Sequence, residues 1–249
     1  MTIDGDSLIM FRFSETTTEW EAWDKKNEKE FFMYHWVKDK DFLKRMRTEC
    51  ADTVNRLVSE LNRNSDLQVS FHIVGSGGRN MITQNDNEPI DLDFNLVIES
   101  APKINDCRSI KETVRKAFNL VLKDKGWEDC SDSTSALTTQ RRYFTKGNKT
   151  LWSIDLAIVC EDNDGSWWRL IHKKTGFVSL DSWVWEQGKD SHNLFAKEEK
   201  LKKTKHWGEV RDTYLDKKNL HLRKNETDTH PSFVSYIEAI NEVYYKYFG

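Results

Sequence analysis

The chain has 249 residues, with 38 Lys and Arg against 41 Asp and Glu, which gives a formal net charge of −3. This length suits one large domain or two small ones, and an aromatic content of 12% argues against a disordered chain. A net charge so close to zero gives no global electrostatic reason to bind nucleic acid or an acidic membrane. Any basic binding surface must therefore be local.

The N-terminal region predicts neither export nor a membrane anchor. Its acidic start, residues 1–6, lacks the apolar run of a signal peptide, and no later stretch approaches the ~20 apolar residues of a membrane span. Residues 15–37 are rich in aromatic and charged side chains, at a spacing that predicts one or two short helices. The four cysteines are widely spaced without a zinc pattern, which favours structural thiols in a cytoplasmic protein with no membrane partner.

The first long element is an amphipathic helix. Over residues 40–62, apolar side chains recur every three or four positions, which predicts a helix with one apolar face. An apolar strand, residues 67–74, follows and runs into Gly75, Ser76 and two further glycines. Small residues leave backbone N–H groups uncovered, so this turn favours close approach of a phosphate, although an ordinary turn is the alternative interpretation.

The next strand carries two carboxylates. In residues 91–98 apolar side chains alternate with polar ones, so Asp91 and Asp93 share the face opposite the apolar one. Residues two apart on a strand are about 6.5–7 Å apart, so both carboxylates can reach one or two hard cations. Two like charges this close repel each other unless a cation neutralises them.

A third carboxylate has the same setting further along the chain. A helix is predicted to end near Gly126, followed by a β-rich segment over residues 135–146 and a hairpin turn at residues 146–149. The return strand, residues 151–160, has one apolar face and carries Asp155 on the other. Because aspartate is unfavourable in the middle of a strand, Asp155 suggests a functional role.

Past residue 165 the sequence changes character. Tryptophans punctuate a region that we interpret as irregular or short-stranded, and residues 194–216 and 231–248 predict helices, the second opened by Pro231. We therefore expect residues 1–165 to form a core with N-terminal helices and residues 166–249 a mainly helical C-terminal lobe. The predicted fold class is α+β, with a small mixed β-sheet backed by helices on one face and an open cleft on the other.

Together these residues resemble the DNA polymerase β-type nucleotidyltransferase superfamily. The resemblance is carried by the turn at Gly75 and Ser76, by Asp91 and Asp93 between apolar residues, and by Asp155 in a later strand, over roughly residues 69–161. A long helix ahead of the first strand is similar to the branch that contains oligoadenylate synthases and bacterial cyclic-oligonucleotide synthases.

The resemblance implies a nucleotidyltransferase fold and an enzyme. By resemblance, Gly75 and Ser76 hold a triphosphate, while Asp91, Asp93 and Asp155 hold two Mg²⁺ (or Mn²⁺) ions and carry the catalysis. The implied reaction transfers a nucleoside monophosphate from an NTP to a hydroxyl group. Among the NTPs, ATP is the substrate that we expect. Asp155 would also accept the proton of that hydroxyl.

Further cationic and aromatic residues are candidates for nucleotide contacts. Arg79, Arg141 and Arg142 suit a triphosphate because a guanidinium binds phosphate oxygens in a bidentate way. Lys197 and Lys200 are candidates for the β- and γ-phosphates from the C-terminal lobe, and the alternative for all five is a solvated surface. Trp183, Trp185 and Tyr214 are candidates for stacking on a base. The alternative interpretation is that these aromatic side chains belong to the core.

The sequence leaves the acceptor open. A nucleotide acceptor would give a linear or cyclic oligonucleotide signal, whereas other hydroxyl acceptors are a small molecule such as an antibiotic, a protein side chain or an RNA end. Nucleic acid is not implied by the net charge. A nucleotide-binding module without turnover is the alternative from a different functional class.

Overall fold

The computed structural model of this chain describes residues 33–188, 193–224 and 232–249. In these ranges the chain forms nine strands and six helices. The strands are β1 (Tyr34–Trp36), β2 (Gln68–Ile73), β3 (Thr83–Asn85), β4 (Ile90–Ser100), β5 (Ser131–Asp132), β6 (Leu137–Thr138), β7 (Trp152–Glu161), β8 (Trp167–Lys173) and β9 (Ser182–Gln187). The helices are α1 (Lys40–Asn64), α2 (Gly75–Gly78), α3 (Cys107–Asp124), α4 (Leu194–Lys203), α5 (Trp207–Arg223) and α6 (Ser232–Phe248).

Seven of these strands form one mixed sheet. Its order is β2-β4-β7-β6-β5, with β8 also paired to β7 and β9 paired to β8. β4 and β7 run parallel, whereas the other pairs of this sheet are antiparallel. The mixed sheet, with helices packed against it, confirms the predicted α+β class.

One face of the sheet is covered by α1 and α3. The Asp39 side chain accepts from the Phe42 N–H at 2.9 Å and so begins α1, which confirms the predicted helix and extends it to Asn64. The Asp106 side chain begins α3 in the same way, with 3.1 Å to the Ser109 N–H. The apolar faces of both helices are buried in one core with the inward side chains of the sheet, where each fully buried Leu or Phe contributes about 1.5–3 kcal/mol.

The two central strands alternate as the sequence predicts. In β4, Leu92, Phe94 and Leu96 are fully buried against the helices, and in β7 Ile154 and Leu156 are buried on the same side. The polar positions between them therefore face away from α1 and α3, since successive side chains of a strand point to opposite faces.

A second, smaller core lies in the C-terminal helices. Its buried side chains come from α4, α5 and α6, and Met81 joins them from the segment that follows α2. The small sheet formed by β1 and β3 is attached to α5, because the Tyr34 N–H donates to Asn219 Oδ1 at 2.7 Å. In the described ranges, no helix has both the length and the apolar character needed to cross a membrane.

Two predicted elements differ from the structure, and a third is resolved between its alternatives. Residues 34–36 form strand β1, so the helices expected over residues 15–37 do not reach them, and residues 15–32 lie outside the described ranges. The helix expected over residues 194–216 is two helices, because Lys205 adopts a left-handed backbone with φ of 65° that ends α4. The region interpreted as irregular or short-stranded contains the strands β8 and β9, which extend the main sheet.

Candidate active site

A cavity of about 550 Å³ lies between the sheet, the short helix α2 and the C-terminal helices. The predicted residues that line it are Gly75, Ser76, Arg79, Asp91, Asp93, Asp155 and Tyr214. Residues that the sequence analysis did not single out also line it, and these are Tyr34, Met81, Ile82, Thr83, Glu88, Pro89, Ile90, Arg169, Lys218, Ser232, Phe233 and Tyr236.

The sheet brings the three aspartates together. In the parallel pair of β4 and β7, Asp93 lies opposite Asp155 and Asp91 lies opposite Ser153, and neighbouring strands are about 4.8 Å apart. The Ser153 hydroxyl donates to Asp91 Oδ1, and Thr138 Oγ1 donates to Asp155 Oδ1 at 2.6 Å. These hydroxyls orient two of the carboxylates, and each bond uses only the Oδ1 atom of its carboxylate.

The aspartates oppose one another's ionisation. Burial, together with the charges of Asp155 and Asp91, raises the pKa of Asp93 to about 6, against the opposing effect of Arg169 and Arg79. Burial also raises the pKa of Asp155, with the Thr138 hydrogen bond acting in the other direction. A site with this charge balance favours a cation.

The carboxylates of Asp91, Asp93 and Asp155 are ligands that fit Mg²⁺ or Mn²⁺, although their side chains do not converge on one point. Within the described residues, no group of three His, Cys, Asp or Glu side chains is arranged to hold a metal as it stands. Carboxylate oxygens are nevertheless the ligands that hard divalent cations prefer. A cation would also relieve the repulsion that raises the pKa of Asp93.

The glycine turn is packed against Asp93. Gly75 has a φ of 61°, and a Cβ atom there would lie 2.2 Å from Asp93 Oδ2, so a side chain at this position would displace the carboxylate. The Val74 N–H donates to the Asp93 carbonyl at 2.9 Å and the Met81 N–H donates to the Ser76 carbonyl at 2.8 Å. The turn therefore brings Gly75 and Ser76 next to the aspartates and forms the four-residue helix α2.

Arg79 connects the glycine turn to the C-terminal helix α6. Its guanidinium donates from Nη1 to the Gly75 carbonyl at 3.0 Å and lies 4.3 Å from the centre of the Tyr236 ring. The Tyr236 hydroxyl in turn donates to Glu198 on α4. Arg79 thus lines the cavity while it is already engaged with the protein on two sides.

Lys218 is one of two cations in the cavity that the sequence analysis did not single out, the other being Arg169. Its ammonium group donates to Thr83 Oγ1 at 2.8 Å and lies 3.7 Å from the centre of the Tyr34 ring. Burial lowers its pKa to about 8, partly offset by the charge of Glu88. Within the described ranges it has no carboxylate within ion-pair distance, so a buried positive charge faces the cavity and favours an anion.

Three predicted nucleotide contacts lie elsewhere. Arg142 packs 4.2 Å from the Trp127 ring, and its backbone pairs with Trp152. Lys197 donates to Asn241 Oδ1 at 2.7 Å, and Lys200 lies 4.0 Å from the Phe248 ring, so both cover the aromatic side of α6. None of the three lines the cavity.

The other candidates divide in the same way. Arg141 is exposed outside the cavity. Trp183 stacks on His172 with ring centres 4.2 Å apart, and Trp185 donates from Nε1 to the Ile104 carbonyl at 2.8 Å, so both lie outside the cavity. Tyr214 does line the cavity, but it is also buried in the helical core.

No protein-family model and no curated protein matches the chain. Among solved structures, it is similar to the Bradyrhizobium diazoefficiens CD-NTase CdnG in complex with GTP, with a TM-score of 0.40 and 12% identity over 61% of this chain and 42% of that one. It is similar to the Elizabethkingia meningoseptica CdnE cyclic dinucleotide synthase with GTP and Apcpp, with a TM-score of 0.47 and 11% identity over 77% and 68% of the two chains.

A third similar structure is CdnC from Escherichia coli MS115-1 with ATP, at a TM-score of 0.47 and 14% identity over 84% of this chain and 62% of that one. The chain therefore spans between 42% and 68% of the length of these three structures. Because all three TM-scores are below 0.5, the likeness carries no functional conclusion, and function rests on the residues of the cavity.

Proposed function

We propose that this chain is a metal-dependent nucleotidyltransferase of the DNA polymerase β type. It would transfer a nucleoside monophosphate from an NTP to a hydroxyl acceptor. One observation carries the proposal: Asp91, Asp93 and Asp155 line the same cavity as the turn at Gly75 and Ser76. Paired carboxylates beside a small-residue turn suit a ligand that combines phosphate groups with divalent cations.

In this proposal the aspartates bind metal ions, and one of them also accepts a proton. Asp91, Asp93 and Asp155 would hold two Mg²⁺ or Mn²⁺ ions, which would offset phosphate charge and lower the pKa of the acceptor hydroxyl. Asp155 is suited to accept the proton of that hydroxyl because burial raises its pKa. The Thr138 hydroxyl, 2.6 Å from Asp155 Oδ1, would fix the orientation of this carboxylate.

The triphosphate would lie between the glycine turn and α6. Lys218 supplies a buried ammonium group without a carboxylate partner in the described ranges, and phosphate oxygens would compensate it. Ser232 lines the cavity as the first residue of α6, a helix of 17 residues whose N-terminal end favours an anion. Gly75 and Ser76 would close the opposite side.

The base of the NTP would stack on Phe233. This ring lines the cavity and is 47% exposed, unlike Tyr214, which is 2% exposed and belongs to the helical core. An exposed ring beside a phosphate site offers a stacking surface. Stacking tolerates any base, so the contact does not choose among the four NTPs, and ATP is the first to test.

The experiment is a product screen. The full chain is incubated with each α-³²P-labelled NTP and Mg²⁺ or Mn²⁺, with and without cell extract, beside an Asp155→Asn control. A labelled oligonucleotide supports a nucleotide acceptor, a labelled protein band supports a protein acceptor, and a small labelled product that needs extract supports a small-molecule acceptor. No product from any NTP, combined with tight NTP binding, would favour a nucleotide-binding module without turnover.

A further inference from the structure

The first three carbonyl groups of the glycine turn, residues 74–76, all accept hydrogen bonds from the protein. The Val74 carbonyl accepts from the Gly78 N–H at 3.1 Å. The next two are held by the bonds from Arg79 and Met81 described above. In a planar trans peptide the carbonyl and the following N–H point in opposite directions, so the three N–H groups that follow are directed away from these partners. They donate to no acceptor in the described ranges, and the turn presents N–H donors, which suit an anion.

The fourth carbonyl of the turn is held from outside the cavity by Arg47. This residue lies on α1, 30 residues before Gly77, and its Nη2 donates to the Gly77 carbonyl at 3.1 Å. The Gly77 carbonyl shares a peptide plane with the Gly78 N–H, which is the donor to Val74. Arg47 therefore fixes the peptide that holds the first carbonyl of the turn, and through it the direction of the Gly75 N–H.

Arg47 is a costly donor for a single carbonyl. Its side chain is half-buried, its Nε is buried without a hydrogen-bond partner among the described residues, and burial lowers the pKa of its guanidinium. In the described ranges it forms no ion pair with a carboxylate. A neutral amide side chain could hold one carbonyl without burying a charge. A phosphate group on the other side of the turn would supply the opposite charge.

We propose that Arg47 is a positioning residue for the triphosphate of the NTP, which it does not itself contact. This inference rests on the proposed function. Arg47 lies outside the residues that line the cavity. It keeps the Gly77 carbonyl directed away from the cavity and the N–H groups of Gly75 and Ser76 available to the β- and γ-phosphates.

The test compares two ligands that differ in these two phosphates. With Mg²⁺ present, α,β-methylene-ATP and AMP are titrated into the full chain by calorimetry, and urea denaturation measures the free energy of unfolding. We expect Arg47→Met to weaken the binding of the analogue by about tenfold, the effect of one lost hydrogen bond to a charged group. The AMP affinity should stay within about twofold. The free energy of unfolding should not fall, because methionine fills much of the same space and carries no buried charge.

Arg45→Met is the matched control. Arg45 also lies on α1, and its Nη1 donates to a backbone carbonyl at the same distance of 3.1 Å, but that carbonyl belongs to Lys146 and not to the turn. Its loss should change neither affinity. Arg47→Lys keeps a cationic donor and should recover most of the affinity for the analogue, to within about threefold of wild type.

Three outcomes would overturn the assignment of Arg47. If Arg47→Met binds the analogue as tightly as wild type, Arg47 does not position the turn, and the proposed function stands. If this variant loses stability and affinity for both ligands in parallel, Arg47 has a general structural role. If the wild-type chain does not bind the analogue at all, the proposed function fails, and the assignment of Arg47 fails with it.

Discussion

At the scale of single residues, the Asp93 carboxyl lies where burial and two neighbouring carboxylates oppose its ionisation, which raises its pKa from 3.8 to about 6. A carboxyl with a raised pKa binds more protons in the folded than in the unfolded chain between these values, so the metal-free protein loses stability as the pH rises through them. Each pKa unit corresponds to about 1.4 kcal/mol. We therefore expect Asp93→Asn to stabilise the metal-free protein by up to about 3 kcal/mol at pH 7.

Urea denaturation of the metal-free proteins at pH 7 and at pH 4 measures this difference. The gain of Asp93→Asn should shrink at pH 4, where the wild-type carboxyl is largely protonated in the folded chain. If Asp93→Asn is less stable than wild type at both pH 7 and pH 4, the ionised Asp93 carboxyl does not destabilise the folded protein.

Gly75→Ala tests the close packing of the glycine turn on Asp93. Alanine at a φ of 61° costs about 1–2 kcal/mol, and its Cβ would lie 2.2 Å from Asp93 Oδ2. We expect transfer to fall by about a hundredfold or more because the carboxylate is displaced. The rate of labelled product formation is the measurement.

Gly147→Ala is the matched control for this prediction. Gly147 also has a positive φ, 81°, but a Cβ there would meet nothing within 4 Å. It should lose comparable stability and keep transfer within about twofold. Equal activity losses in the two variants would mean that backbone strain, and not the displacement of Asp93, is responsible.

The site residues that sequence could predict are those whose signal is local. Asp91, Asp93 and Asp155 stand out because a two-residue alternation fixes the face of a strand from the chain alone. Lys218 and Arg169 carry no such signal, since their place in the cavity depends on how α5 and β8 pack against distant elements. Lys197 was predicted by its position in a basic helix, but the register of that helix directs it to Asn241.

At the scale of elements, helix α5 carries Lys218, and the loss of this cation should raise the stability of the protein and lower its affinity for nucleotide. Burial lowers the pKa of Lys218 from 10.5 to about 8, so the folded chain binds fewer protons than the unfolded chain between these values, and stability rises with pH across that range. At pH 7 the buried ammonium costs up to about 3 kcal/mol. We expect Lys218→Met to stabilise the ligand-free protein while it weakens NTP binding by about ten- to a hundredfold.

Thermal unfolding and calorimetric titration with α,β-methylene-ATP measure the two effects. Lys217→Met is the control, because Lys217 is the preceding residue and pairs with Glu242 at 2.7 Å. That variant should not change nucleotide affinity. Unchanged affinity in Lys218→Met would remove Lys218 from the triphosphate site.

Long, strongly periodic elements were the most predictable part of the fold. Helix α1 follows from its apolar repeat, as expected from the chain alone, and the structure adds the Asp39 cap at its start. The region of β8 and β9 was predicted only as irregular or short-stranded, because several of its inward side chains are tryptophans and a histidine whose partners come from α3 and β5. The end of α4 at Lys203 was not predicted, because the left-handed residue that follows it is Lys205 and not a glycine, so the sequence gives no breaker there.

At the scale of the whole molecule, metal and nucleotide should act together on stability. A ligand that binds only the folded chain stabilises it by mass action, and the repulsion among Asp91, Asp93 and Asp155 opposes a triphosphate unless a cation is present. We expect Mg²⁺ with α,β-methylene-ATP to raise the Tm by several degrees, and the same nucleotide with a chelator to raise it far less. Equal Tm shifts in the two conditions would indicate metal-independent nucleotide binding.

The central claim is that the aspartates of this cavity carry nucleotidyl transfer, and the position of the label in the product tests it most directly. The wild-type chain and Asp93→Asn are incubated with Mg²⁺ and an NTP labelled with ³²P at either the α- or the γ-phosphate. The account predicts that the α label enters the acceptor product, that the γ label leaves as pyrophosphate, and that Asp93→Asn does neither. Transfer of the γ label to the acceptor, or equal transfer of the α label by Asp93→Asn, would contradict it.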